Sequence, residues 1–204
     1  MKTLLTIAAT LLALSSAAPA ATIKLHPNTC NGEERGCTAV EIIGFIEASD
    51  GGKFMELMLK DNPDKAVIIL RSPGGSVPAA LQIGRFIKAK SYTTYATDTD
   101  VCASSCAIIW LAGWEKIVDA GAKIGFHAAY TVQQTGRKLY AAESGMANAL
   151  VGAYFAELGF SEDAIRFFTK AGPNSASWLT KDVADRLGIE FQFPSHSRQN
   201  AKRG

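Results

Sequence analysis

Along this chain the apolar residues switch repeatedly between the two-residue period of a strand and the 3.6-residue period of a helix. From Thr38, "TAVEIIGFI" reads as a mostly apolar strand, and "SDGGKFMELMLKDN" as a loop leading into a helix that stops at Asn62-Pro63. "KAVIILRS" is a second strand whose unbroken β-branched run suits a sheet covered on both faces. "SPGGSV" breaks it, and "VPAALQIGRFIKAK" follows as a helix with Val77, Ala80, Leu81, Gly84 and Ile87 on one face. "YTTYAT" is then a short strand, "SSCAIIWLAG" a buried helix stopped at Gly113, and "KIVDA" and "AKIGFH" two further strands.

After His127 the pattern turns helical. "KLYAAESGMANALVGAYFAELG" reads as one long helix, "SEDAIRFFTKAG" as a helix opened by a Ser-Glu-Asp cap, and "SWLTKDVADRLG" as a last helix ended by Gly188. Strands and helices alternating at crossover spacing predict an α/β fold with a largely parallel sheet.

The first residues change the picture. One lysine, an apolar stretch from Leu4 to about Leu14 and an A-x-A pattern at Ala18 and Ala20 predict a signal peptide over residues 1–20. Its apolar stretch is shorter than the roughly 20 residues a bilayer-spanning helix needs. Residues 21–37 are expected to form an N-terminal extension, 38–192 the α/β domain, and 193–204 a solvated basic tail. A formal net charge of +2, with scattered lysines and arginines, speaks against nucleic acid as a partner.

The four cysteines, Cys30, Cys37, Cys102 and Cys106, all follow the expected cleavage point and would meet an oxidising compartment. Three pairings exist in principle. The Asn-Gly in "CNGEERGC" suits a tight turn joining Cys30 to Cys37, which leaves Cys102 for Cys106. Paired C-x2-C spacing and nearby histidines are missing, so no metal site is expected.

Candidate chemistry gathers at the ends of the strands, where open parallel sheets bind ligands. Pro73, Gly74 and Gly75 let the backbone turn sharply and present an N–H group there. In "VCASSCAIIWLAG" two serines stand between a strand and a helix, where orphan amides can receive negative charge. A plain N-cap serine would explain them equally well taken alone. His127 closes an apolar strand and could serve as a rigid general base. His26 and His196 lie in polar surroundings near the chain's ends and read as surface residues. Cys106 as nucleophile is the weaker alternative, since a free thiol suits an oxidising compartment poorly.

Taken in order, "ILRSPGGSVPAALQIGRFI", "CASSCAIIWLAG", "AKIGFH" and "SWLTKDVADRLGI" resemble the proteolytic subunit of the Clp protease and its crotonase-like relatives, over about residues 38–190. The resemblance implies that fold, with repeated ββα-type units and a helical C-terminal part. It places the nucleophile on Ser104, with Ser105 the near miss, and the catalytic histidine on His127. The oxyanion donors would be the N–H groups of Gly75 and Ser105, with Gly74 beside the substrate.

The family's aspartate has no counterpart. Alignment forward from "SEDAI" places Phe168 there, alignment back from "SWLT" places Gly172, and Asn174 is the nearest residue able to orient an imidazole. The implied function is a secreted or periplasmic serine hydrolase acting on a peptide or protein, with no cofactor and no ATP-dependent unfoldase. An inactive binding or scaffold protein of the same fold is the alternative, and acyl-CoA chemistry ranks third because that substrate is cytosolic. The helix around "MANALVGAYFAELG" occupies the place where the family builds its ring contacts, which leaves a homo-oligomer open.

Overall fold

The structure, a computed structural model, describes residues 20–29, 37–98 and 101–194. The expected leader up to residue 19, Cys30 and the tail from residue 195, with His196, lie outside the described residues. Among those described, no helix is long and apolar enough to cross a membrane.

The larger sheet has five strands in the order β1-β2-β3-β4-β6: β1 (Thr22–Pro27), β2 (Cys37–Ile43), β3 (Lys65–Arg71), β4 (Thr93–Ala96) and β6 (Lys116–Val118). β1 runs antiparallel to β2, and the remaining neighbours are parallel. Thr22–Pro27, within the stretch expected only as an extension, thus supply an edge strand. Along β3, Ala66, Ile68 and Leu70 are buried and the alternate Val67 and Ile69 are half-buried, so both faces are covered.

Helices α1 (Asp50–Asp61) and α2 (Val77–Lys90) make the crossovers. The Ser76 hydroxyl caps α2 by accepting from the Ala79 N–H, and Pro78 fits the first turn, where an amide would go unpaired anyway.

A second sheet has the order β10-β7-β5, with β5 (Val101–Ala103) parallel to β7 (Lys123–Phe126) and β10 (Ser177–Trp178) antiparallel to β7. Between β5 and β6 runs α3 (Ser105–Leu111), in which every residue is buried, as an all-round apolar helix must be. The two sheets meet at an isolated parallel bridge between Ser72 and Cys102, where the Ala103 N–H donates to the Ser72 carbonyl at 3.2 Å.

The long helix expected over residues 138–159 begins as a strand. β8 (Tyr130–Thr135) and β9 (Lys138–Glu143) form an antiparallel hairpin, and α4 (Gly145–Glu157) begins only after it. Gly136 takes φ +60° at the turn, and the Ser144 hydroxyl accepts from the Ala147 N–H, so turn and cap together override the helical spacing that Leu139 and Tyr140 share with later residues. Likewise "SW" pairs as β10, and the last helix, α6 (Lys181–Leu187), starts after its cap Thr180.

α5 (Glu162–Thr169) opens at Ser161 as expected. It brings Phe168 against Phe126 and Phe155, with ring centroids 4.5 and 4.7 Å apart. This aromatic cluster forms the core directly below the candidate site.

Candidate active site

Three chain segments converge where β3, β5 and β7 end. The bridge between Ser72 and Cys102 sets the glycine turn after β3 beside the end of β5, and the pairing of Ala103 with Gly125 sets the end of β5 beside that of β7. Ser104 and His127 therefore leave adjacent parallel strands at the same edge.

Ser104 turns from β5 into α3 with φ 55° and ψ −124°. A residue with a Cβ avoids this region, at a cost of about 1–3 kcal/mol, and pays it only where its surroundings enforce it. Here the Ser104 N–H donates to the Gly125 carbonyl at 2.9 Å, and the Ser104 carbonyl accepts from the Ile108 N–H at 3.1 Å. The hydroxyl makes no cap bond, unlike those of Ser76, Ser144, Ser161 and Thr180, which all cap their helices. A strand-to-helix elbow that leaves its serine hydroxyl free of the helix it opens has the geometry in which nucleophilic serines are presented.

The glycine turn lies against that elbow. Gly74 and Gly75 have φ +111° and +144°. A Cβ on Gly74 would come within 2.6 Å of the Ser104 Cβ, and one on Gly75 within 2.1 Å of the Ile46 carbonyl oxygen. The Ile46 N–H donates to the Gly74 carbonyl and the Ser76 N–H to the Ile46 carbonyl, which turns the Gly75 N–H to the opposite side. The Ser105 N–H stands in the first turn of α3, where no intrahelical acceptor exists. The Ser105 hydroxyl, 0% exposed, donates to the Gly75 carbonyl at 2.8 Å and ties the two residues whose amides are candidate oxyanion donors.

His127 is half-buried one residue past β7. Its Nδ1 lies 2.8 Å from the Ala128 carbonyl oxygen. A carbonyl only accepts, so Nδ1 donates in this contact, and Nε2 is the acceptor of the neutral imidazole in that tautomer. Ser104 and His127 line one hollow of about 230 Å³ with Phe45, Pro73, Gly75, Val77, Ala129, Tyr130 and Val132. They also share a void of about 10 Å³ with Phe126 and Phe168, at the lower limit for a single water. No hydrogen bond joins the two side chains.

Asn174 does not join the group: it is exposed in a turn, with no bond to the imidazole. Phe168, 1% exposed, fills the space below His127 with a phenyl ring. Gly172 lies in the neighbouring loop, where the Ala171 carbonyl receives the Ala128 N–H. The Ala128 carbonyl had no sequence signal, since any residue supplies one. Asn148 had a faint one, as an amide within the apolar run "MANALV". Its side chain clasps Ala129, with Oδ1 accepting from the Ala129 N–H at 2.6 Å and Nδ2 donating to the Ala129 carbonyl at 3.2 Å. Among the described residues no group of three metal-ligating side chains occurs.

Cys102 and Cys106 form the expected disulfide around the serines, with Cα atoms 5.1 Å apart and both residues buried. Cys37 is disulfide-bonded as well, and its expected partner Cys30 lies outside the described residues. His26 sits on β1 with its Nε2 3.3 Å from a Glu41 carboxylate oxygen, away from the site.

Because the Cys102–Cys106 bridge closes a short loop over the elbow, removing it should cost about 2 kcal/mol by chain entropy. It should also let Ser104 leave its disfavoured φ. The double variant Cys102→Ala with Cys106→Ala is expected to lower the unfolding free energy by that amount and the rate of labelling by an active-site serine probe roughly tenfold, since part of the 1–3 kcal/mol of backbone strain would relax. Denaturant titration and timed labelling measure the two effects, and unchanged labelling would mean the hydrogen bonds to Gly125 and Ile108 suffice.

No protein-family model and no curated sequence matches the chain. Solved structures do, at low identity. A Ser-to-Ala variant of the 1510-N membrane-bound stomatin-specific protease aligns over 76% of each chain with 18% identity and a TM-score of 0.56. ClpP1 from Listeria monocytogenes, as an Asn-to-Asp variant, aligns over 76% of this chain and 90% of its own with 21% identity and a TM-score of 0.54. The ClpP catalytic domain from Plasmodium falciparum covers 75% and 82%, with 17% identity and a TM-score of 0.54. A Lys-to-Ala variant of the stomatin-specific protease in complex with a substrate peptide covers 70% of this chain and 66% of that one, with 18% identity and a TM-score of 0.51. Parallel strand order, crossover helices and these alignments agree that the chain has the Clp-protease-like fold.

Proposed function

We propose that the chain is a serine hydrolase that cleaves peptides without ATP, with Ser104 as nucleophile and His127 as base. The observation that carries this reading is the Ser104 backbone, held at φ 55° with its hydroxyl uncommitted over the hollow that His127 also lines. In the reaction, His127 Nε2 takes the Ser104 proton as Oγ attacks the substrate carbonyl. The Gly75 and Ser105 amides receive the oxyanion, each worth about 3 kcal/mol by analogy with other hydrolases. His127 returns the proton to the departing amine, and water then releases the acyl group.

A peptide is favoured as substrate because one structural neighbour is a protease holding a substrate peptide. No aspartate, glutamate, lysine or arginine lines the hollow, so the residue beside the cleaved bond should be uncharged and apolar. Secretion or a periplasmic site is favoured by the leader-like residues 1–20 and by the disulfide at the elbow.

A fluorophosphonate probe should label the purified protein, and Ser104→Ala should abolish labelling while leaving the fold intact. Labelling that persists in Ser104→Ala would reject the assignment. The second reading, an inactive binding protein, is favoured by the absence of a Ser104–His127 hydrogen bond and of a carboxylate at Nδ1. It requires the folded wild type to be inert to the probe.

A further inference from the structure

An imidazole that acts as base must be held in one tautomer and one orientation, a task usually given to a carboxylate at Nδ1. Here the Nδ1 proton points at the Ala128 carbonyl, 2.8 Å away. That carbonyl belongs to the same peptide unit as the Ala129 N–H, and the Ala129 N–H donates to Asn148 Oδ1 at 2.6 Å. One planar peptide group therefore joins the Asn148 side chain to the imidazole. Donating through its N–H makes such a group a stronger acceptor at its oxygen, and pinning both ends fixes its plane.

The assignment of the Asn148 amide is unambiguous. Its second contact is a donation from Nδ2 to the Ala129 carbonyl at 3.2 Å, so an amide flipped end for end would set donor against donor and acceptor against acceptor. The Ala129 carbonyl also receives the Ser144 N–H at 2.9 Å, and the Ala128 N–H is tied to the Ala171 carbonyl at 2.8 Å. Of these anchors, only the Asn148 Oδ1 bond pulls on the peptide whose oxygen faces the imidazole. Asn148 projects from the first turn of α4, so the helix after the hairpin fixes the base at the end of β7.

We propose that Asn148 is the positioning residue for His127, acting through the Ala128–Ala129 peptide where other hydrolases use an acid. Its catalytic consequence rests on the reading of His127 as the base, but its effect on the imidazole does not. The test therefore has one readout that needs no activity. In protein with ¹⁵N-labelled histidine, the His127 signals are assigned by their loss in His127→Gln, and the ratio of Nδ1–H to Nε2–H tautomers is measured at neutral pH. The wild type is expected to hold the Nδ1–H form, Asn148→Ala to mix the two, and Asn148→Asp, which keeps an acceptor for the Ala129 N–H but sets an oxygen against the Ala129 carbonyl where the donor stood, to retain more of the wild-type form than Asn148→Ala does.

In the labelling assay, Asn148→Ala should slow the reaction on the order of tenfold, a fraction of the 10²–10⁴ that a positioned base contributes, and Asn148→Asp should recover part of the rate. Binding of a non-reacting apolar peptide should stay unchanged. An Asn148→Ala protein that is folded, with the wild-type tautomer ratio, overturns the proposal whatever its activity. A tautomer shift in a wild type inert to the probe keeps the positioning role and removes the proposed function instead. If Asn148→Ala fails to fold, Asn148→Leu, which keeps the branched shape with a somewhat larger side chain and no acceptor, carries the same comparison, and circular dichroism selects the variant to be used.

Discussion

Gly74→Ala is expected to slow serine labelling at least a hundredfold while the protein stays folded. The added Cβ would sit 2.6 Å from the Ser104 Cβ and 2.8 Å from the Ala103 carbonyl oxygen, and one of these has to move. The carbonyl belongs to β5, whose parallel pairing with β7 resists displacement, so the strain falls on the elbow and on the glycine turn. Gly74 also takes φ +111°, which an alanine avoids at a cost of about 1–3 kcal/mol. Relief by rotating the Gly74–Gly75 peptide would swing the Gly75 N–H away from the hollow. Loss of one oxyanion donor alone costs roughly 10²–10³ in rate.

Total destabilisation should remain within about 2–6 kcal/mol, the backbone cost plus overpacking, because the insertion is local and beside a hollow. Gly52→Ala is the control: its Cβ would meet nothing within 4 Å inside α1, so stability should rise slightly and labelling stay unchanged. Labelling of Gly74→Ala at the wild-type rate would show that the turn takes no part in the reaction.

Much of this geometry was legible in the sequence because local chemistry and global placement agree there. β3 is an unbroken β-branched run, and Pro73-Gly74-Gly75 has no good use except a sharp turn. The apolar run after Ser104 could only be a buried helix, so the serines had to stand at its start. The hairpin at Tyr130–Glu143 was not legible because Leu139, Tyr140 and Met146 fit a helical period as well as a strand period. What decides between them is the positive φ of Gly136 and the cap at Ser144, features a periodicity count ignores.

The partner of His127 was hidden for a different reason. Looking for a polar side chain near the right position leads to Asn174, which is exposed, whereas the bond at Nδ1 is made by a main-chain oxygen. Side-chain patterns carry no trace of such a group.

Phe168, one of the two positions where the family resemblance would put an aspartate, suggests an engineering step that should fail. Phe168→Asp would set a carboxyl below His127, where a hydrogen bond to the imidazole could return about 1.5–3 kcal/mol. Against this stands the loss of a buried ring packed on Phe126 and Phe155, about 3–5 kcal/mol. A carboxyl among phenyl rings, with no counter-charge, would also have to stay protonated. Raising its pKa from about 4 to above 7 costs roughly another 4 kcal/mol at neutral pH. The net loss of at least about 4 kcal/mol is a large part of the 5–15 kcal/mol that holds a domain together.

The pH dependence separates the two costs. A carboxyl whose pKa is raised by folding binds its proton more tightly in the native state, so the variant loses stability as pH rises above the unfolded value near 4 and regains it as pH falls. Urea unfolding at pH 7 and pH 5, each referred to the wild type at the same pH, should show a deficit about 2 kcal/mol or more larger at pH 7. The void shared with His127 holds at most one water, too little to solvate the charge and spare that cost. A Phe168→Asp protein with the wild-type midpoint at pH 7 and faster labelling would mean that the imidazole repays the burial, and that the phenyl ring had been blocking a triad rather than supporting the core beneath a dyad.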